Sequence, residues 1–139
     1  MCYYLSLGAN IGEREKTLRT ALEYIEQQIG TILRCSSFFY SEAWGFESTH
    51  EFCNLCCAVE TSLAPLEVLS RTQAIERALG RKEKSHDGVY ADRCIDIDLI
   101  RVFDAQGKEI YMETKDLTLP HKLWQEREFV KVPLAEIMQ

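Results

Sequence analysis

No apolar run in these 139 residues approaches the ~20 needed to cross a bilayer, so no membrane-spanning helix is expected. The opening Met1-Cys2-Tyr3-Tyr4-Leu5 lacks a basic region followed by a long apolar stretch, and so does not read as a signal peptide. A cytoplasmic location is the simplest expectation. Basic residues are outnumbered as well: 16 Lys and Arg against 22 Asp and Glu leave a net charge of −6. A nucleic-acid surface needs a basic face or stripe, and none is expected here. One nucleotide ligand stays open, because a few local cations and a metal suffice for a triphosphate. Repeats, linkers and low-complexity tracts are also missing, so residues 1–139 read as a single domain. Apolar and charged fractions of 46% and 27% exclude a disordered or fibrous chain.

Certain motifs are missing too. Gly8-Ala-Asn-Ile-Gly12 has no Lys-Ser/Thr ending, which excludes a P-loop enzyme. Gly8 and Gly12 read instead as turn residues, although close approach of the backbone to a ligand also demands glycine. His50, His86 and His121 are scattered singly and give no converging zinc set. Cysteine is not scarce, with six at positions 2, 35, 53, 56, 57 and 94. Without a secretory signal a disulfide framework is not expected. Cys53-Asn-Leu-Cys56 has redox or zinc spacing, but it lies in a period-2 run where i and i+3 point to opposite faces. Reduced cysteines filling a core are the stronger reading.

What is present is an alternation of strands and helices. Residues 2–7 read as a strand ending at Gly8. Asn10 with Glu13 suggests an N-cap and its capping-box partner, and Leu18, Ala21, Leu22, Ile25 and Ile29 carry helical spacing over 13–29 to a stop at Gly30. A strand is expected over 31–40, a polar and aromatic loop over 41–50, and a third strand over about 51–61. Ser62-Leu-Ala-Pro65 opens a second helix, with Pro65 at its first position and Val68, Thr72, Ile75 and Leu79 on one stripe to Gly80. A basic segment, 81–92, precedes a fourth strand. A hairpin around Ala105-Gln-Gly107, the Thr118-Leu-Pro-His121 segment and a basic, aromatic helix-like turn complete the chain. The order strand, helix, strand, strand, helix, strand predicts an α+β fold. It is the ferredoxin-like βαββαβ pattern, an antiparallel sheet with helices packed on it.

The fourth strand carries the chemistry. In Asp92-Arg93-Cys94-Ile95-Asp96-Ile97-Asp98-Leu99-Ile100, Asp96 and Asp98 share one face, roughly 6–7 Å apart along the strand. Ile95, Ile97 and Leu99 take the other. Two adjacent carboxylates backed by an apolar face suit a hard cation such as Mg²⁺. The competing reading is an edge strand whose solvent face happens to be acidic. Positive charge gathers nearby: Arg81, Lys82 and Lys84 before the pair, Arg93 beside it, His121, Lys122 and Arg127 after it. Carboxylates with cations are what phosphoryl transfer requires. Composition and spacing therefore reach a magnesium–nucleotide enzyme and no further.

Several separate motifs, in order, resemble the 6-hydroxymethyl-7,8-dihydropterin pyrophosphokinase family of folate biosynthesis. They are Leu7-Gly8-Ala9-Asn10, Phe52-Cys53-Asn54 with Ala58-Val59-Glu60-Thr61, Gln73-Ala-Ile-Glu76 with Gly80-Arg81, and Arg93-Cys-Ile-Asp96-Ile-Asp98-Leu99. Leu119-Pro120-His121, Arg127-Glu-Phe129 and Pro133-Leu134 follow. The resemblance implies a three-layer αβα fold with C-terminal additions. It also implies transfer of the β,γ-diphosphate of ATP to the pterin hydroxymethyl group, with release of AMP. It implies two Mg²⁺ ions on Asp96 and Asp98, and Arg81 and Arg93 stabilising charge in transfer. Gln73, Glu76, Arg81, Arg93, Thr118, His121 and Arg127 would line the ATP side. Glu42, Ala43, Trp44, Phe52, Asn54 and Phe129 would line the pterin side. Glu42-Ala43-Trp44-Gly45 stands where the family carries adjacent prolines, and Asp92 where it prefers proline. ATP and the pterin are the expected partners of a monomer, with no nucleic acid and no membrane. A non-catalytic nucleotide- or pterin-binding relative is the alternative, and a magnesium-dependent nuclease a weaker one.

Overall fold

The computed structural model describes residues 1–41, 51–80 and 95–138. Strand β1 (Cys2–Ala9) runs down the middle of an antiparallel sheet, paired with β4 (Phe52–Glu60) on one side and β5 (Asp96–Phe103) on the other. Strand β2 (Thr31–Cys35) pairs with β4 near its C-terminal end, and β3 (Phe39–Ser41) pairs with β4 near its start. The sheet order is β2-β4-β1-β5, so β5 is an edge. A small pair, β6 (Met112–Glu113) with β7 (Thr118–Leu119), lies beyond it.

Each face of the sheet has its own core. On one, Tyr3, Leu5, Leu7 and Ala9 of β1 pack with Ile97 and Leu99 of β5. Against them lie Leu18, Ala21 and Ile25 of α1 (Arg14–Gln28) and Val68 and Ile75 of α2 (Pro65–Ala78). On the other, Tyr4, Cys56, Ala58 and Ile100 pack with Val130, Leu134 and Ile137 of α3 (Glu128–Ile137). The period-2 alternation of β1 supplies both faces.

The expected strand 31–40 is interrupted. The Ser36 N–H donates to the Cys56 carbonyl at 2.8 Å, and the Cys56 N–H donates to the Ser36 hydroxyl at 2.9 Å. A side chain thus replaces one rung of the ladder. Ser37 donates through its N–H and its hydroxyl to Glu136 on α3, each at 3.0 Å. The chain breaks pairing there and resumes as β3.

Asn10 is not the cap of α1. It is fully buried, and Glu13 occupies the cap position without a side-chain bond. Gly12, at φ 65°, makes the turn as expected. Gly8 does not: it lies inside β1. Pro65 does open α2 at its first turn. Helix α3 is longer than the helix-like turn expected at this end of the chain, and it holds Pro133 inside it. The hairpin at 105–107 is present, closed by Asp104 N–H to the Lys108 carbonyl at 2.8 Å. Cys53 and Cys57 are buried on the α1/α2 face and Cys56 on the α3 face, so the Cys-x-x-Cys spacing brings no pair together. Burial pushes the Cys53 thiol up to about 11 and that of Cys56 to about 12, far from thiolate chemistry.

Candidate active site

The acidic strand is an edge strand, yet its acids do not behave as a solvated face. Asp98 has its pKa raised from 3.8 to about 7, first by burial, then by the charges of Asp96 and Glu76; Arg127 opposes the rise. Among the described residues, two carboxylates and a third acid crowd one place and one guanidinium acts on them. That is the signature of a site short of positive charge, which a divalent cation supplies. Among the described residues no group of three or more His, Cys, Asp or Glu side chains could hold a metal. The donor set is therefore the pair itself, and Mg²⁺ fits it, since that ion completes its shell with waters and substrate phosphates.

Glu76 reaches the pair from α2. It is buried, and its carboxylate accepts the Ile97 N–H at 2.7 Å. An edge strand offers its outer N–H groups to no neighbour, so Glu76 closes that edge between the two aspartates. His121 approaches from the other side. Its backbone N–H donates to the Ile100 carbonyl at 2.8 Å, and its Nδ1 accepts the Leu123 N–H at 3.2 Å. Burial, then the Arg127 charge, lowers its pKa, while Asp96 works the other way. A neutral imidazole whose Nδ1 is an acceptor carries its proton on Nε2. The Arg127 guanidinium lies over the Phe129 ring at 5.8 Å.

Register places the second half of the site. Asp96 pairs with Gly8, and Gly8 pairs with Asn54; Asp98 pairs with Ser6. Paired residues share a face, so Asp96, Gly8 and Asn54 form one row across three strands, roughly 10 Å from end to end. A Cβ at Gly8 would sit 2.8 Å from the Asn54 Oδ1 and 3.7 Å from Phe52. The missing side chain keeps a floor open between the amide and the acids. Asn54 is itself fixed: its Nδ2 donates to the Phe39 carbonyl at 3.1 Å and to the Ser41 hydroxyl at 2.9 Å. Next to it, Arg14 at the start of α1 donates to the Glu51 carbonyl at 2.6 Å and stacks on Tyr40. Ser6 was not singled out by the sequence as a site residue, and Gly8 was read first as a turn residue, with close approach to a ligand as the other reading. The signal was in the register, which a strand motif read alone does not contain.

A family model described as 7,8-dihydro-6-hydroxymethylpterin-pyrophosphokinase matches residues 4–139. The chain belongs to that family. Among pyrophosphokinase relatives, one from Porphyromonas gingivalis, named 2-amino-4-hydroxy-6-hydroxymethyldihydropteridine pyrophosphokinase, is 45% identical over 135 residues; these cover 96% of this chain and 88% of the relative. One of the same name from Bacillus subtilis is 38% identical over 137 residues, covering 98% and 77%. A solved HPPK-DHPS structure in complex with substrates has a TM-score of 0.67 at 17% identity. The match covers 98% of this chain and 40% of that one, and it speaks for the fold.

Of the residues expected from the pyrophosphokinase resemblance, the charges of Asp96, Asp98, Glu76, His121 and Arg127 act on one another. Phe52 and Asn54 flank Gly8. Phe129 packs at the margin of the α3 core. Gln73 is exposed on α2 and Thr118 half-buried on β7. Glu42, Ala43, Trp44, Arg81 and Arg93 lie outside the described residues, as does the unexplained Asp92.

Proposed function

We infer that this chain is an ATP-dependent diphosphotransferase of folate biosynthesis. It moves the β,γ-diphosphate of ATP onto the hydroxymethyl oxygen of 6-hydroxymethyl-7,8-dihydropterin and releases AMP. Membership of the family over residues 4–139 supports the activity. The observation that carries the roles is the strained acid pair, Asp96 and Asp98, in one row with Gly8 and Asn54.

In this reading Asp96 and Asp98 would be the residues that hold two Mg²⁺ ions. Magnesium, when bound there, screens phosphate charge and acidifies the acceptor hydroxyl. Glu76 keeps β5, and with it both aspartates, in place through Ile97. His121 donates its Nε2–H to a phosphate oxygen, and Arg127 adds a fixed positive charge. Gln73 and Thr118 contact the nucleotide, and Arg81 and Arg93 neutralise charge as the diphosphate transfers. On the pterin side, Asn54 presents Oδ1 to the N–H donors of the heterocycle's amide edge. Phe52 and Phe129 supply ring faces, and Glu42, Ala43 and Trp44 complete the pocket. Positioning and electrostatics provide the rate, with no covalent protein intermediate.

The strand order β2-β4-β1-β5, with helices over both faces, supports a ferredoxin-like core in a three-layer αβα arrangement. No helix among the described residues is long and apolar enough to cross a membrane. The reading is a single domain over 1–139 acting as a cytoplasmic monomer. The non-catalytic alternative is not favoured, since Asp96, Asp98, His121, Arg127 and Asn54 are all present. AMP release from ATP that depends on the hydroxymethylpterin and on Mg²⁺ tests the reading; ligand binding without AMP would overturn it.

A further inference from the structure

Arg101 is not one of the residues to which the reaction assigns a role, yet it is tied to several groups at once. Its Nε and Nη2 donate to the two oxygens of Glu109 at 2.9 and 2.7 Å, and its Nη1 reaches the Met138 sulfur at 3.5 Å. The guanidinium lies 5.0 Å from the Phe103 ring centroid and 5.2 Å from that of Trp124. Both partners of the ion pair are largely shielded, with side chains 21% and 13% exposed.

A β-bulge explains how the guanidinium comes to lie there. Opposite β1, Tyr4 pairs with Arg101 and Leu5 with Leu99, so Ile100 is the extra residue. The bulge turns Ile100 and Arg101 to the same face, where strict alternation would have separated them. Ile100 then accepts the backbone N–H of His121 at 2.8 Å. Three residues on, Trp124 begins the 3₁₀ turn Trp124–Glu126, which leads straight into Arg127. The segment 121–127 is thus held at its start by the Ile100 carbonyl and at its end by α3. In its middle it meets the ring plane on Arg101. Its two ends carry the histidine and the arginine of the nucleotide side.

We propose that Arg101, locked by Glu109, is a positioning residue that holds Trp124 and thereby places His121 and Arg127 over the nucleotide phosphates. The idea rests on the nucleotide assignment given above. It requires that the loss fall on ATP and largely spare the pterin, whose row of Gly8 and Asn54 lies across the sheet and whose Phe129 is held in α3, outside the segment 121–127.

The test uses the full chain and calorimetric binding of a non-hydrolysable ATP analogue with Mg²⁺, beside binding of the pterin. Arg101→Met keeps bulk and removes the charge, Arg101→Lys keeps the charge, and Trp124→Ala removes the ring. Arg101→Met and Trp124→Ala are each expected to weaken the analogue about three- to tenfold with pterin affinity within about twofold. The double variant should be no weaker than the worse single, because the two residues act as one unit. Arg101→Lys should recover part of the loss. Equal loss for both ligands, additive losses, or a lowered Tm with unchanged nucleotide affinity would each overturn the proposal. Should Arg101→Met fail to fold, Glu109→Gln, which loosens the guanidinium without removing it, takes its place with the same readouts. A wild type that binds the analogue but releases no AMP would defeat the pyrophosphokinase reading while leaving this one measurable.

Discussion

The two aspartates of β5 occupy the same face, where each charge acts on the other. Burial, then the charges of Asp96 and Glu76, raises the Asp98 pKa to about 7, and the metal-free protein is frustrated there. Its folded pKa lies above the ordinary 3.8, so across that interval the folded state keeps a proton that the unfolded chain has lost. Its contribution to stability is whole below the unfolded value and fades as pH rises through about 7. Without metal, Tm should fall between pH 5 and pH 8, and Asp98→Asn should flatten that slope. Magnesium needs the ionised pair, so its affinity should climb over the same interval, and saturating Mg²⁺ should restore Tm at the upper end. Asp96→Ala or Asp98→Ala should lower kcat by at least about 10²-fold while Tm is kept or raised; an active variant would refute the metal role. Asn54→Ala should weaken pterin binding about tenfold and leave ATP binding alone, as read by calorimetry with each ligand.

At the scale of elements, two features organise the site. The break between β2 and β3 lets β3 meet the start of β4, where Phe39 and Ser41 hold the Asn54 amide. Ser36→Ala would leave the buried Cys56 N–H without its partner and should cost about 1–3 kcal/mol, measured by chemical denaturation. The loosened β3 should also raise the pterin KM. Helix α3 anchors the segment that carries Arg127 and Phe129. Leu134 is fully enclosed against Tyr4, Cys56 and Ala58, and Leu134→Ala should cost about 2–5 kcal/mol. Part of that loss should return when ATP and Mg²⁺ are added, because ligands that bind only the docked helix favour it.

For the whole molecule, one antiparallel sheet with a core on each face sets the acids beside the amide. The strand and helix order, the α1 and α2 stripes and the acid pair were legible because period-2 and period-3.6 patterns are local properties of the chain. The ordered motifs named the family. Three things were not legible. Gly8 read as a turn residue because a glycine required by a neighbouring strand's side chain looks, in one dimension, like any loop glycine. Helix α3 read only as a helix-like turn, because what holds it is packing of Val130, Leu134 and Ile137 on Tyr4, Cys56, Ala58 and Ile100 of the sheet. The bulge at Ile100 left no mark, since the run Leu99-Ile100-Arg101 reads as ordinary strand. By itself, then, the sequence determined the order of the main strands and the two long helices, which face of β5 is acidic and to which family the chain belongs, because each follows from spacing and motifs along the backbone. Only the tertiary structure decided that Asp96 stands in line with Gly8 and Asn54, and that Glu76 closes the edge between the acids. It alone turned Arg101 toward Trp124. Those are relations between strands, fixed by register and by burial on a shared face, and no single segment carries them.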